Sequence, residues 1–506
     1  MFSRVISAVV HGIAIELINV ETDISDGLPV FDMVGLLSSE VRESKERVRT
    51  SIKNSGRKIP PKRITVNLSP AAIHKEGGSF DLPIAVGVLM ALGIIKQAFN
   101  MKETLIVGEL SLDGRVNPIC GVLPIIIEGR KQGIKNFIVP IKNMKEGVII
   151  EGVNVFGVES LAETENILNG ILCPKPEYKD IREVYEQSQK QEKIPDFSEI
   201  NGQESLKRAA EIAAAGMHNM LMVGPPGVGK SMLAARIPSI LPRPDLEECI
   251  EITKIYSIAG LLDDTPLITR RPFRAPHHTI TEKALIGGGN KIKAGEITLA
   301  HKGVLFLDEF AEFKRDTIEA LRQPLESGSI TISRVYGTCR FPAEIMVVAA
   351  ANPCKCGYYP DRSKCRCSEH EVHKYFSRFN GPIMDRMDIC AGVSPVKAED
   401  LMKSRKGEAS EKIRKRVEAA VLLQKERYRD IKPNFNSELN PDEVQKYCSL
   451  GAKESALLFQ AFEAFHLSAR GYYKTIKVAR TIADLEGSTD IKEAHISEAL
   501  GYRMLF

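Results

Sequence analysis

An α/β multidomain fold is predicted by three features of this 506-residue chain. Short β-type runs alternate with helical stretches over residues 1–174, an apolar run feeds a glycine-rich loop at 224–231, and residues 397–506 lack strand signals. A chain of this length exceeds one hydrophobic core, so roughly three or four domains are expected. The first block has β-like runs at 5–10, 13–18, 64–68, 105–107 and 137–139, between helical stretches such as 39–55 and 82–92. That is the pattern of a compact α+β domain. Residues 175–195 turn polar, including EQSQKQEK, and read as a linker or an exposed helix. An α/β core is expected over 196–396, and a helical domain over 397–506.

The bulk chemistry excludes several classes. With 43% hydrophobic and 26% charged residues the composition is that of a globular protein. No run approaches the ~20 apolar residues of a membrane span, and the first residues lack a secretory pattern. A cytoplasmic location is expected. Ten cysteines in so long a chain argue against a disulfide framework. The net charge of +4 neither requires nor forbids nucleic acid, so a basic face would have to be local.

The sequence GPPGVGKS spans Gly224, Pro225, Pro226, Gly227, Val228, Gly229, Lys230 and Ser231. It follows the apolar residues Met220 to Val223 and precedes a helical run, the strand, loop and helix setting of a phosphate-binding P-loop. Glycines leave room for backbone N–H groups to face phosphate oxygens, and the helix adds its positive end. Lys230 would reach the β- and γ-phosphates of ATP and Ser231 would hold Mg²⁺. Downstream, Val304, Leu305, Phe306 and Leu307 form an apolar strand that delivers Asp308 and Glu309 at its carboxyl end. Asp308 is the candidate for positioning Mg²⁺, and Glu309 for polarising the attacking water. A third strand at 345–351 ends at Asn352, either a sensor of the γ-phosphate or a turn residue before Pro353. This order of P-loop, acidic strand and asparagine-terminated strand is that of AAA+ ATPases.

Four cysteines, Cys354, Cys356, Cys365 and Cys367, fall in CKCGYYPDRSKCRC. Thiolates at this spacing suit tetrahedral Zn²⁺, with His370 and His373 as substitute ligands. The alternative is four reduced thiols in a loop.

The segments RPFRAPHHT (271–279), GEITLAHKGVLFLDEF (295–310), LRQPLESG (321–328) and GPIMDRMDI (381–389) resemble the magnesium-chelatase-like AAA+ group, and the whole chain resembles the YifB/ComM family. That resemblance implies a ring, usually a homo-hexamer, with ATP between subunits. It makes Arg386 in DRMD the arginine finger acting on a neighbour's ATP, with Arg378 as the second candidate, and places Arg470 at the second-sensor position. Arg480 follows on the same amphipathic helix. The helical block 397–506 becomes the C-terminal lid.

Residues 34–49, 76–85 and 108–124 resemble a Lon-protease-like domain. Ser79 occupies the serine position, but Val122, Leu123 and Pro124 stand where the lysine base belongs, so no peptidase activity is expected. Lys75, Arg115, Arg57, Lys58, Lys62 and Arg63 are candidates for nucleic-acid phosphate contacts or a solvated surface. Arg271, Arg274, His277, His278, Lys291 and Lys293 are further DNA candidates, the last two in GGGNKIKAGE, either a pore hairpin or a plain exposed one. The family resemblance implies a DNA helicase or branch-migration motor of the kind that aids recombination or transformation. The alternative is a chelatase-like or protein-remodelling ATPase.

Overall fold

The computed structural model describes residues 1–96, 99–191, 195–262, 265–289, 292–334, 337–377, 383–394, 407–431 and 433–503. It is a mixed α/β structure in which a seven-stranded sheet, a five-stranded parallel sheet and a helical region follow one another along the chain.

The first sheet contains β1 (Phe2–His11), β2 (Ala14–Ser25), β3 (Phe31–Val34), β4 (Arg63–Ser69) and β5 (Thr104–Ile106). After a small hairpin of β6 (Glu109–Leu110) and β7 (Val116–Asn117), it is completed by β8 (Asn136–Pro140) and β9 (Asn154–Val158). Its order is β3-β4-β2-β1-β5-β8-β9. The β1–β2 hairpin pairs without a break from Phe2↔Asp23 to His11↔Ala14, closed by Gly12 at φ +60°, a conformation that a glycine adopts without strain. Helix Asp81–Ala91 is buried along its whole length, which is why its sequence is apolar on all sides. Its one acid, Asp81, is matched by Arg47 at 2.6 Å.

The segment expected as a linker or an exposed helix contains helix Ile181–Gln191. Tyr185 donates to the carbonyl of Pro244 at 3.0 Å, and Ile181, Val184 and Tyr185 pack on apolar residues from both flanking regions. The helix is a joint rather than a tether.

The second sheet has the order β11-β14-β17-β10-β18, formed by β10 (Met220–Val223), β11 (Phe273–Arg274), β14 (Val304–Leu307), β17 (Met346–Ala351) and β18 (Ile389–Gly392). Every pairing is parallel. β10, β14 and β17 are buried at every residue, as strands covered on both faces must be, hence the unbroken runs MLMV, VLFL and MVVAAA. Two antiparallel hairpins are added to this core, β12 (Gly287–Gly288) with β13 (Lys293–Ala294) and β15 (Ser329–Arg334) with β16 (Gly337–Pro342), the second packing Ile330 and Phe341 against it. The second was not evident from the sequence.

Beyond residue 407 the elements among the described residues are helical, chiefly Ser410–Arg427, Ala452–Ala464, Ala469–Leu485 and Glu493–Gly501. They do not form a separate bundle. Val417, Ala420, Ala479 and Ile482 share one core with Ala209 and Ala213 of helix Glu204–Gly216 and with Met220 and Val348 of the sheet. The two regions are one packed unit.

Candidate functional site

The phosphate loop leaves β10 at its carboxyl end and enters helix Lys230–Ala234. Gly227 (φ +78°) and Gly229 (φ +90°) adopt left-handed backbone, and a Cβ on Gly224 would lie 2.5 Å from the Val393 carbonyl. The Lys230 ammonium donates to the carbonyls of Gly224 (2.5 Å) and Pro225 (2.9 Å) and to Oδ1 of Asn352 (3.2 Å). Burial lowers its pKa, against the opposing charge of Asp308. Asn352, at the end of β17, therefore faces the site lysine; it is not merely a turn residue.

Ser231 Oγ donates to Asp308 Oδ2 at 2.6 Å. A hydroxyl and a carboxylate in contact beside a phosphate loop form an oxygen-only donor set that fits Mg²⁺. Asp308 Oδ1 accepts the Glu309 N–H at 2.9 Å, and Glu309 sits at φ +49°, a strained setting for a side chain with a Cβ. That turn aims Glu309 sideways to His278, whose Nδ1 is 3.0 Å from Oε2. His278, read from sequence as a DNA contact, belongs to the ATPase site. No local signal showed this: only the pairing of β11 with β14 brings His278, which follows β11, to Glu309.

The arginines lie elsewhere. Asn219, the residue before β10, donates through Nδ2 to the Arg386 carbonyl at 3.2 Å, so Arg386 stands at the amino end of the strand whose carboxyl end carries the phosphate loop. Four residues of strand separate the two ends by about 13 Å. Arg386 is buried and its guanidinium donates to Glu326, while Arg470 lies 3.7 Å from the same carboxylate. Burial lowers the Arg386 pKa, and the charges of Arg470 and Arg322 lower it further. The two arginines thus form a pair around Glu326, in a cleft of about 840 Å³ between the parallel sheet and the C-terminal helices. Glu326 was missed because its partners are 60 or more residues away in sequence.

Next to this pair is a buried polar knot. Asp388 accepts the Asn219 N–H at 3.0 Å and is 2.6 Å from Lys474 Nζ and 3.6 Å from His218 Nδ1. Burial raises the Asp388 pKa, but the Lys474 charge and the neighbouring His218 ring outweigh it and hold the carboxyl well below the usual range. Arg480 is structural: it binds Asp484 and the carbonyls of Ser488 and Thr489. Arg378 and Lys291 lie outside the described residues.

The four cysteine sulfurs all lie within 4.8 Å of one another, and Cys354 and Cys365 are buried. The Tyr358 backbone N–H helps lower the Cys356 pKa to about 6, so one of the four is readily a thiolate.

Several proposed phosphate contacts are committed to the protein itself. Lys75 is buried and its ammonium donates to the Pro70 carbonyl. Arg271 is buried on Glu248 and on the carbonyls of Pro242 and Lys302, and Arg274 is paired with Glu296. Arg57, Lys62, Arg63 and Arg115 pair with Glu165, Asp26, Asp32 and Asp113. Sequence proximity suggested a basic cluster, but acids offset it, all but Asp113 distant in sequence. Lys58, His277 and Lys293 are exposed. Ser79 is half-buried, and Pro124 is buried within helix Val122–Lys131.

Residues 196–401 match the family described as "Magnesium chelatase, subunit ChlI", residues 20–143 match "Subunit ChlI of Mg-chelatase", and residues 407–503 match its C-terminal family. The chain is 39% identical over 498 residues to the competence protein ComM of Haemophilus influenzae, covering 98% of this chain and 96% of that protein. It is 38% identical over 493 residues to YifB of Escherichia coli, covering 96% and 94%. Lon protease 2 of Bacillus subtilis is 29% identical over 158 residues, 30% of this chain and 27% of that protein. Together with a P-loop, an acidic strand end and a facing asparagine on one parallel sheet, this near full-length similarity means that the chain belongs to the ComM/YifB family of magnesium-chelatase-like AAA+ ATPases.

Proposed function

We propose that this protein is the subunit of a homo-hexameric, ATP-driven ring that translocates on or remodels DNA, as a helicase or branch-migration factor working in the cytoplasm. The observation that carries the ring is the separation of the site into halves: Lys230, Ser231, Asp308, Glu309 and Asn352 at the carboxyl ends of the strands, Arg386 and Arg470 toward their amino ends. Both arginines then act in trans, on ATP bound to the next subunit. Lys230 and the loop amides hold the phosphates, and Glu309, once free of His278, takes up the water. Ser231 and Asp308 would hold Mg²⁺, whose charge offsets that of the phosphates. Arg386 neutralises charge on the transferred phosphoryl group, and Asn352 reads its presence.

DNA is favoured by exposed Lys293 on the β12–β13 hairpin, with β15–β16 packed beside it where Ile332 meets Gly287, and by the similarity to the competence protein of Haemophilus influenzae. The N-terminal region, 1–174, is assigned as a Lon-like domain without peptidase activity and the helices after 396 as the lid; no helix among the described residues is long and apolar enough to cross a membrane. The four thiolates are assigned to structural Zn²⁺.

Two experiments test this. In mixtures of Lys230→Ala and Arg386→Ala subunits, each inactive alone, random assembly pairs an intact loop with an intact arginine at about a quarter of junctions, and that fraction of wild-type turnover returns. Mixtures that stay inactive would refute the shared site. Separately, hydrolysis is measured with single-stranded, double-stranded and four-way-junction DNA at several salt concentrations. Absence of both stimulation and salt-dependent binding would reject DNA and favour the chelatase-like or protein-remodelling reading.

A further inference from the structure

The cysteine loop is placed against the nucleotide site rather than apart from it. It starts two residues after Asn352, the residue whose Oδ1 accepts from Lys230. Within it, Gly357 has φ +86°, and a Cβ built there would lie 2.7 Å from Pro226 Cδ and 3.9 Å from Asn352 Cγ. The backbone of the loop therefore rests on the second proline of GPPGVGKS. This contact is set by the sulfurs: the Gly357 N–H donates to the Cys354 carbonyl at 2.9 Å, the Tyr359 N–H donates to Cys354 Sγ at 3.4 Å, and Cys354 Sγ lies 3.3 Å from Cys356 Sγ and 3.8 Å from Cys365 Sγ. Val372, on helix Glu369–Phe376, packs into the same small core, and the chain then runs on toward Arg386.

We propose that Zn²⁺ in the four-thiolate loop is a brace on the phosphate loop, pressing Gly357 onto Pro226 and holding Asn352 over Lys230, so that metal occupancy sets nucleotide affinity. The proposal rests on the zinc assignment made above. Four sulfurs within 4.8 Å of one another have the spacing that a tetrahedral cation between them would hold. Losing the metal lets the loop relax where it meets Pro226, and a phosphate loop with a mobile rim pays ordering entropy when nucleotide binds. Linkage makes the coupling reciprocal: if zinc tightens nucleotide binding by some factor, nucleotide must tighten zinc by the same factor.

The test uses the full-length protein, purified without added zinc, with metal content and the dissociation constant of a fluorescent ADP analogue measured on the same samples. Wild type carries one zinc per chain. After chelation, circular dichroism reports that the fold persists, and ADP affinity falls at least about fivefold, the lower range of allosteric couplings. Saturating ADP raises the zinc affinity, read by competition with the chelator, by the same factor. Gly357→Ala keeps its zinc and weakens ADP about tenfold, because the added Cβ meets Pro226 and the backbone is left-handed. Cys173→Ser, at an exposed cysteine outside the loop, changes neither quantity. Equal ADP affinity in zinc-loaded and zinc-free protein would overturn the brace while leaving the metal site standing. Wild type that carries no zinc and takes none up would overturn the metal assignment, and the brace with it.

Discussion

The pair Asp388–Lys474 joins the C-terminal helices to the sheet two residues from Arg386, so its removal should be legible in both stability and catalysis. The separation is 2.6 Å with side-chain exposures of 9% and 17%. At an effective dielectric of ~20 the attraction is about 6 kcal/mol before desolvation is subtracted. Lys474→Met leaves a buried carboxylate whose remaining partners are the Asn219 N–H and a neutral His218, the histidine being kept neutral by burial. Removing one member of such a pair costs about 3–5 kcal/mol, which for a unit of this size lowers the melting temperature by about 6–10 °C. Asp388→Asn keeps an acceptor for Asn219 and leaves the lysine, the more exposed partner, with a path to solvent, so it costs less. The double variant Asp388→Asn/Lys474→Met removes the stranded charge and should melt above Lys474→Met alone. Thermal denaturation of the four proteins gives the cycle, and turnover at saturating ATP gives the catalytic consequence: Lys474→Met loses hydrolysis as Arg386→Ala does, with nucleotide affinity kept. If the two single effects add to within about 0.5 kcal/mol, the residues do not interact and the reasoning fails.

Three further outcomes are expected. Glu309→Gln keeps nucleotide affinity within about twofold and lowers turnover by about 10²–10⁴, measured by phosphate release against fluorescent-nucleotide titration. His278→Ala frees Glu309 and raises hydrolysis without DNA by about two- to tenfold, the worth of one hydrogen bond; an unchanged or lower rate would show that His278 does not restrain the glutamate. The Asp388 carboxyl is depressed in the folded state, so its stabilisation is fully present above the unfolded value of ~3.9 and is lost as pH falls below it. The stability gap between wild type and Asp388→Asn should therefore be constant from pH 7 to about pH 5 and narrow only in more acid solution.

The elements of the nucleotide half-site were legible because each is local. MLMV, VLFL and MVVAAA are apolar runs bounded by glycine, acid or asparagine, and parallel-sheet burial converts such runs directly into adjacent strands. What the sequence concealed are the pairings made across the chain. Arg271 and Arg274 stand in a basic stretch, yet Glu248 and Glu296 absorb them, and Lys75 is folded inward onto Pro70. A charged residue's availability depends on acids that only the folded chain brings near. His278 is the opposite error: its chemistry was noticed, but its partner Glu309 could be assigned only once β11 was seen to run beside β14.

The same long-range view alters the meaning of the N-terminal region. Gly12, at the tip of the β1–β2 hairpin, has no room for a side chain: a Cβ there would lie 2.9 Å from Cys339 Cβ and 3.2 Å from Phe341 on β16. A second contact is polar, Ser257 on helix Leu246–Ala259 donating to Glu146 at 2.6 Å, with the Gly121 N–H on the Ser257 carbonyl at 3.0 Å. Helix Ile181–Gln191 closes a third. A domain held at three places, one of them the β15–β16 hairpin, is mechanically linked to that hairpin. If the hairpins are the parts that meet the substrate, their travel during the ATP cycle is limited by this contact. The N-terminal region thus has a mechanical position against the hairpin, and Gly12 marks where force between the two regions would pass.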